Sequence, residues 1–494
     1  MKKSISQGVL YLGIAQMIFV ITGYILNIAL GRILGPASYG IFGVVTAINA
    51  AFIMALAPGV PGAVGKYISE EKIDAKLIQK RGLKIQMGFA AVLFMAYLAA
   101  AQPIAALLND ASLAHYLYAT AFTIPFYAFY ILRISYYNGS RQYGQQAKLA
   151  MVYPLAKLLI IVVLLLLGFR LWGAIIGIVA ANVIASLSVF YIADKYLIKG
   201  EEGDISSKTL ITFAYPLVLS SFVTTLVPYL DLLVVKYYLP GVTTGLYTAA
   251  SAVSRAPSVI LAALGLTIGP ALSYSISNNK MKLTRTYIKE AIRYLMICLL
   301  PFIALIAATN RNLIVLFYSN VYEAAAVVLT VLIVAKSLGQ FHNVFIIVIN
   351  ASGFTKFKLM ISVFSLALLL GLNIILVPRY GMIGAAYAAL LNTAIIAIAS
   401  GSYVFYRFKP KFPGKSLVRI TLASVAVYFI ALFLDRGIYT LPLLYVGMGC
   451  FYLVLLILLK ELKKKDYQRI KRMIPDKMMG YIPDRVWEVE KYFD

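Results

Sequence analysis

"RILGPASYG" (residues 32–40) and "KYYLPGVTTG" (residues 236–245) each lie between two long apolar runs, and they align with one another. Placing Gly40 on Gly245 also places Phe42 on Tyr247, Thr46 on Ser251 and Ala47 on Ala252, an offset of 205. A second pair follows: "LWGAIIG" (171–177) matches "MIGAAYA" (382–388) at an offset of 211, and "NGSRQYG" (138–144) precedes a span as "NASGFTKF" (350–357) does. Self-similarity at a near-constant spacing marks a duplicated unit. The unit holds six apolar runs. Because six is even, both copies enter a membrane from the same side and are related by an axis along the membrane normal.

The runs themselves identify the solvent. Of 494 residues, 62% are hydrophobic and 13% charged, against about 45–50% and about 25% in soluble chains; the mean hydropathy is +0.85. Runs of span length recur, each enough for a helix to cross roughly 30 Å of hydrocarbon. They are continuous rather than alternating, which excludes a barrel. Spans are expected near residues 20, 50, 95, 125, 159, 182, 222, 258, 297, 337, 367, 395, 425 and 450. The fold class is therefore an all-α polytopic membrane protein of about 14 transmembrane helices, with two six-helix lobes related by a pseudo-two-fold along the membrane normal, plus two C-terminal helices. The expected divisions are an N-terminal lobe at 1–199, a cytoplasmic linker at 200–208, a second lobe at 209–411, two extra helices at 412–461 and a basic cytoplasmic tail at 462–494.

Charge supplies an independent check. The basic start, MKKSISQGVLYLGIAQMIFV, runs into an apolar stretch without a convincing cleavage site, so it reads as an uncleaved first span with a cytoplasmic N-terminus. On that topology 35 of the 45 Lys/Arg fall on cytoplasmic segments and six outside: Arg32, Arg170, Lys236, Arg311, Arg379 and Arg436. This is the positive-inside asymmetry. It accounts for the net charge of +26 without nucleic acid, and it puts both termini in the cytoplasm and the chain in the cytoplasmic membrane. The tail is expected at anionic headgroups or in solvent. Asn138-Gly-Ser and Asn350-Ala-Ser match the glycosylation pattern but fall on the cytoplasmic side.

Other chemistries find little to stand on. Cys298 and Cys450 lie in apolar runs, so no disulfide framework is indicated. No phosphate-cradling Gly-rich loop, no metal-ligand spacing and no cofactor motif occurs, and no catalytic constellation is expected.

The opening span followed by "LGRILGPASYGIFG", with "PYLDLLVVKYYLPGVTTGLYTAASAV" (228–253), "IVLFYSNVYEAAAVVLTVL" (314–332) and "GLNIILVPRYGMIGAAYAALLN" (371–392), resembles the polysaccharide transporters, including O-antigen flippases, of the multidrug/oligosaccharidyl-lipid/polysaccharide exporter superfamily. The resemblance covers nearly the whole chain. It implies two six-helix lobes plus two extra helices, and a flippase for a polyprenyl-linked oligosaccharide, with membrane lipids and glycan assembly enzymes as partners. Two rivals are weighed against it. A cation-coupled multidrug antiporter calls for acidic cavity residues, and the first lobe has none within its spans. A membrane glycan polymerase or ligase calls for a large outer catalytic loop, and every outer loop is short.

Four cations remain inside spans, Arg133, Lys157, Arg255 and Lys336, against one acid, Asp231. Facing lipid, the four would cost on the order of 10 kcal/mol, so they are expected to face a wet cavity or to find partners. A cationic cavity suits a pyrophosphate. The substrate-binding candidates are Arg255 and Lys336, with Lys157 in support. Arg133 lies near the cytoplasmic end of its span, where snorkelling explains it equally well. Asp231 and Arg255 flank the Pro240-Gly241 turn, which makes Asp231 either a structural ion-pair partner of Arg255 or a coupling carboxylate. Pro58 to Gly62 and Pro270 mark expected helix breaks. His342, beside Gln340 and Asn343, reads as a packed histidine or a proton relay.

Overall fold

The computed structural model describes residues 5–71, 73–192, 205–435, 437–462 and 466. In chain order its helices are α1 (Ile5–Leu56), α2 (Val60–Ser69), α3 (Ala75–Leu107), α4 (Ser112–Ala121), α5 (Thr123–Gly139), α6 (Tyr143–Leu166), α7 (Arg170–Tyr191), α8 (Ser207–Tyr238), α9 (Gly241–Ser254), α10 (Pro257–Ser277), α11 (Met281–Tyr318), α12 (Ala325–Ala351), α13 (Thr355–Phe408), α14 (Gly414–Leu434) and α15 (Leu441–Leu458). No β-strand occurs among the described residues. Most of the linker (200–204) and of the basic tail (463–465 and 467–494) lies outside them.

Two of these helices are too long for one crossing. The 52 residues of α1 would rise about 78 Å, whereas about 20 residues suffice. The chain turns at Gly35, with φ 72° and ψ 170°, and α13 turns at Gly381, with φ 61° and ψ −143°. Such backbone conformations are almost confined to glycine, which lacks the Cβ that would clash. Counting α1 and α13 twice, and joining the second half of α1 to α2, α4 to α5 and α9 to α10 across short breaks, gives fourteen crossings among the described residues. Each contains one of the expected span centres. Start signals are local: the Asp74 carboxylate accepts from the Lys76 N–H at 2.7 Å, and the Ser206 hydroxyl from the Lys208 N–H at 3.2 Å.

The helices fall into two compact units. The first comprises Met1–Val253, Phe317–Ala325 and Leu359–Asn392. One of its cores gathers Val64 and Ile68 of α2, Tyr136 and Tyr137 of α5, Leu149 of α6 and Leu210 of α8. Within this unit the two copies of the opening motif meet. A Cβ on Gly40 would stand 2.6 Å from the Gly241 carbonyl oxygen and 2.7 Å from the Gly245 nitrogen, while a Cβ on Gly245 would run into the Pro36 carbonyl. A Cβ on Gly43 would meet the Thr248 hydroxyl at 2.6 Å. At the offset of 205, Pro36 corresponds to Gly241, Gly40 to Gly245 and Gly43 to Thr248. Residues thus touch their own counterparts, and the Gly40–residue 241 contact is mirrored by Gly245–residue 36, the signature of a local two-fold. Gly241-Val-Thr-Thr-Gly245 is a small-x-x-x-small pattern, which permits this close backbone approach within a membrane.

The second unit comprises Ser254–Leu316, Ala326–Lys358 and Thr393–Asp494. Its core joins Leu272, Ile292, Val348 and Val404 to Val427 of α14 and Leu456 of α15, so the two extra helices are part of it. Tyr452 donates to the Ile297 carbonyl at 2.9 Å, and Asn312 to Asp435 at 2.8 Å. In the first half of α11, Arg293 donates from Nε to Glu461 at 2.6 Å and from its two terminal nitrogens to Asp466 at 3.1 and 2.9 Å. Tyr294 adds a bond to Asp466 at 2.7 Å. All three charged side chains are under a tenth exposed, so this fork pins the start of the tail to α11.

Two stability predictions follow from these contacts. Gly245→Val pushes the seam apart and costs about 1–3 kcal/mol or more, whereas Gly13→Ala, whose Cβ meets nothing within 4 Å, leaves the Tm of detergent-purified protein unchanged or slightly raised. Arg293→Leu leaves the buried Asp466 carboxylate without this cation and Glu461 with only the Arg419 guanidinium at 3.8 Å, and lowers stability by about 3–5 kcal/mol, read in the same thermal assay.

Candidate functional site

At the end of the first unit where α3 gives way to α4, the two copies hold one another by polar contacts. Lys236, five residues before Gly241, places Nζ 2.7 Å from Asp110 Oδ2, and its side chain is only 8% exposed. Arg32, four residues before Pro36, donates from Nε to the Phe317 carbonyl at 2.9 Å. Each motif thus carries a cation near its start, and each cation reaches the other half of the sequence, Arg32 the last turn of α11 and Lys236 the loop between α3 and α4. Buried phenols complete the clasp: Tyr322 donates to the Gly31 carbonyl at 2.8 Å and Tyr39 to Asn27 Oδ1 at 2.9 Å, with the Tyr39 and Tyr318 rings 5.8 Å apart. Sequence reasoning used Arg32 and Lys236 only as markers of orientation and passed over Asp110. The available signal was one cation at a similar place before each repeat motif.

Burial works to raise the pKa of Asp110, but hydrogen bonds from Lys236 and Ser112 and the nearby ammonium outweigh it, so the carboxyl sits below its ordinary 3.8.

The five intramembrane charges are distributed over both units. Arg133 on α5 donates to Gln79 Oε1 of α3 at 3.0 Å and lies over the Tyr136 and Tyr137 rings at 4.6 and 4.9 Å, which ties the two helices together. Lys157 on α6 is half-buried, with Nζ 5.9 Å from the Tyr153 ring centroid. Lys336 is half-buried on α12 in the second unit. Arg255 is exposed and occupies the two-residue break between α9 and α10, where the Ser258 N–H and hydroxyl both bond its carbonyl, at 3.0 and 2.7 Å. Pro257, at the first position of α10, explains why the chain breaks there. The expected break at Pro270 does not occur, since α10 runs through it, whereas the expected break at Pro58-Gly59 is present between α1 and α2.

Asp231 on α8 is 2% exposed. In its own unit its carboxylate accepts from the Tyr247 hydroxyl at 2.6 Å and from the Leu232 N–H at 2.9 Å; Arg255 belongs to the second unit. The Pro240 turn therefore brings a phenol to the acid. His342 Nδ1 is 2.9 Å from the Ser400 hydroxyl, a packed and bonded position.

The first unit also holds a cavity of about 510 Å³, within the usual range of ligand pockets. Its walls come from the second half of α1 (Ile48, Phe52), the end of α3 (Leu107, Leu108), α8 from Phe222 to Tyr238, and Leu370 and Ile374 of α13. Among the described residues, the hydroxyls of Tyr237 and Tyr238 are the only polar side-chain groups in its lining, and none of the five intramembrane charges lines it. This cavity suits hydrocarbon.

Residues 5–276 match the sequence model of a family described as polysaccharide biosynthesis protein. The chain belongs to that family. Among curated proteins it is similar to the probable low-salt glycan biosynthesis flippase Agl15 of Haloferax volcanii, 21% identical over 275 residues that cover 55% of this chain and 58% of that protein. The match thus spans less than two thirds of that relative. It is also similar to the uncharacterized membrane protein MJ1375 of Methanocaldococcus jannaschii, 23% identical over 80% of this chain and 95% of that one. Among solved structures it resembles the lipid II flippase MurJ in an inward closed conformation, with TM-score 0.73, 18% identity and coverage of 90% of this chain and 98% of that one. An inward-facing multidrug resistance MATE family transporter of the MOP superfamily matches with TM-score 0.66, 17% identity and coverage of 80% and 98%. At these identities the structural likeness is one of fold. The family is thus one described by polysaccharide biosynthesis, and the fold is the multi-helix membrane fold shared with MurJ and the MATE transporter.

The Lys236–Asp110 contact predicts a pH dependence. Because the folded pKa of Asp110 lies below its unfolded value, its contribution is fully present above the unfolded pKa, near 4, and is lost as pH falls through the lower folded value. Asp110→Asn should therefore lower the Tm at pH 7, and the gap from wild type should close in acid. Tyr247→Phe removes the donor to a buried carboxylate and should cost about 1–3 kcal/mol in thermal unfolding.

Proposed function

We propose that this chain is a flippase that carries a polyprenyl-(pyro)phosphate-linked oligosaccharide from the cytoplasmic to the outer leaflet by alternating access, for assembly of surface polysaccharide or glycan. The observation that carries the reading is Arg255, an exposed guanidinium at a break inside a span-length helix pair, in a chain whose family is named for polysaccharide biosynthesis. Guanidinium forks match phosphate oxygens, and transporter sites are typically built where a helix is interrupted. Arg255 and Lys336, both of the second unit, bind the pyrophosphate; Lys157 and Arg133 are the cationic candidates of the first unit, Arg133 at the cytoplasmic end of α5. Asp231, held by Tyr247, is the candidate coupling carboxylate.

Several further elements belong to this reading. The repeat lobes are 1–199 and 209–411, joined by the 200–208 linker and followed by the extra helices at 412–461. The chain sits in the cytoplasmic membrane with both termini inside, which places the Arg32 and Lys236 clasp on the outer side. Glycan assembly enzymes supply the substrate. The names of the flippases Agl15 and MurJ support a lipid-linked cargo by analogy.

The test is reconstitution in proteoliposomes with a polyprenyl pyrophosphate bearing a short glycan, reading arrival of the sugar on the far leaflet with an impermeant hydrolase. Wild type should move the glycolipid, and Arg255→Gln should slow it about tenfold or more, in line with about 1.5–3 kcal/mol for a charged hydrogen bond, while the protein stays folded. Unchanged transport by Arg255→Gln removes that residue from the site. Export of a cationic dye with an immobile glycolipid reassigns the chain to multidrug antiport.

A further inference from the structure

We infer that the apolar cavity of the first unit is a binding slot for one hydrocarbon chain, the polyprenyl tail of the transported lipid; this rests on the flippase reading. Three observations carry it. First, the lining follows one side of α8 through Phe222, Leu226, Leu230, Leu233 and Tyr237, which are spaced by three or four residues and rise about 22 Å, so the cavity is elongated along the helix. That suits one extended chain rather than a compact solute.

Second, the polarity changes along the slot. From Phe222 to Val234 the α8 wall is wholly apolar. At the other end stand the two tyrosine hydroxyls, next to the Lys236–Asp110 contact and to the Asn109–Tyr237 bond of 3.5 Å. Tyrosine is favoured at the membrane interface, where one face meets hydrocarbon and the hydroxyl meets headgroups. The slot therefore runs from hydrocarbon depth to headgroup depth, as the first part of a lipid tail does. Third, Leu107 is 63% exposed and Ile374 50% exposed, so the slot can be entered without unpacking a core. The proposed occupant is prenyl rather than acyl because the cargo presents a single long chain, whereas diacyl lipids bring two tails at a fixed spacing to a slot that follows one helix face.

The experiment uses the full-length protein in proteoliposomes and two photoreactive probes, a polyprenyl phosphate and a phosphatidylglycerol, each with a diazirine in its tail. Labelled peptides are identified by mass spectrometry, and glycolipid flipping is measured in the same vesicles. The inference expects the prenyl probe to label residues 222–238. Unlabelled polyprenyl phosphate should compete, and phosphatidylglycerol should not. Leu230→Trp, which fills the slot, should cut labelling about tenfold, a change of about 1.4 kcal/mol; Leu226→Trp serves in its place if the first variant does not fold. Equal labelling by the diacyl probe, or absence of label while flipping proceeds, overturns the inference and leaves the flippase reading intact. Specific prenyl labelling without any flipping upholds the slot and overturns the flippase reading.

Discussion

The contact on which the rest of the first unit depends is the meeting of Gly40 with Gly245. Neither glycine has room for a single added carbon, because the Gly241 and Pro36 carbonyls occupy the space. Inside a bilayer, lipid tails are as apolar as leucine, so helices gain little by hiding apolar side chains from lipid. Close backbone packing does more of the work. The seam also sets the register of what lies beside it. Arg32 and Lys236 sit four and five residues ahead of Pro36 and Gly241, and once the motifs interlock, Arg32 is carried to the last turn of α11 and Lys236 to the loop between α3 and α4. One steric constraint thereby positions two polar contacts without any long-range electrostatic search.

The charges of this chain divide by what holds them. Outside the spans they are fixed in defined geometry: Lys236 to Asp110, and Arg293 in a fork with Glu461 and Asp466. Burying such ions is tolerable only when their hydrogen-bonding capacity is met. Within the spans, Asp231 is engaged by a phenol and a backbone amide, and Arg133 by an amide side chain and two rings. Arg255 alone among the five stands at an opened turn and is exposed. Its place at that break, rather than the number of cations, singles it out. The apolar cavity shares none of these groups, so the charged candidates and the hydrocarbon-lined space are separate features of the molecule.

Much of the fold was legible beforehand because its signals are local. A span declares itself by about 20 apolar residues, and the duplication by two offsets. The break at Pro58-Gly59 was legible too, since proline and glycine together disfavour a continuous helix. Pro270 misled for a related reason: a proline within a membrane helix is tolerated when neighbours satisfy the freed carbonyl, and α10 runs through it. The break came instead at 255–256, where Pro257 begins a helix. The site was less legible. Counting residues outward from the Pro240 turn did not show that the Tyr247 hydroxyl reaches the Asp231 carboxylate, because that depends on how α8 and α9 face one another.

What the sequence by itself determined is therefore the number of crossings, their duplication and the excess of cations over acids within them, because hydropathy, spacing and composition are properties of the chain read in order. Only the tertiary structure decided that the repeat motifs interlock glycine on glycine, that Lys236 finds Asp110 across 126 residues of sequence, and that α1, α3, α8 and α13 enclose an apolar cavity. Those features need side chains from helices far apart in sequence to face one another. No local pattern encodes that facing, and it emerges when steric fit at the seam selects one register among many of similar hydrophobicity.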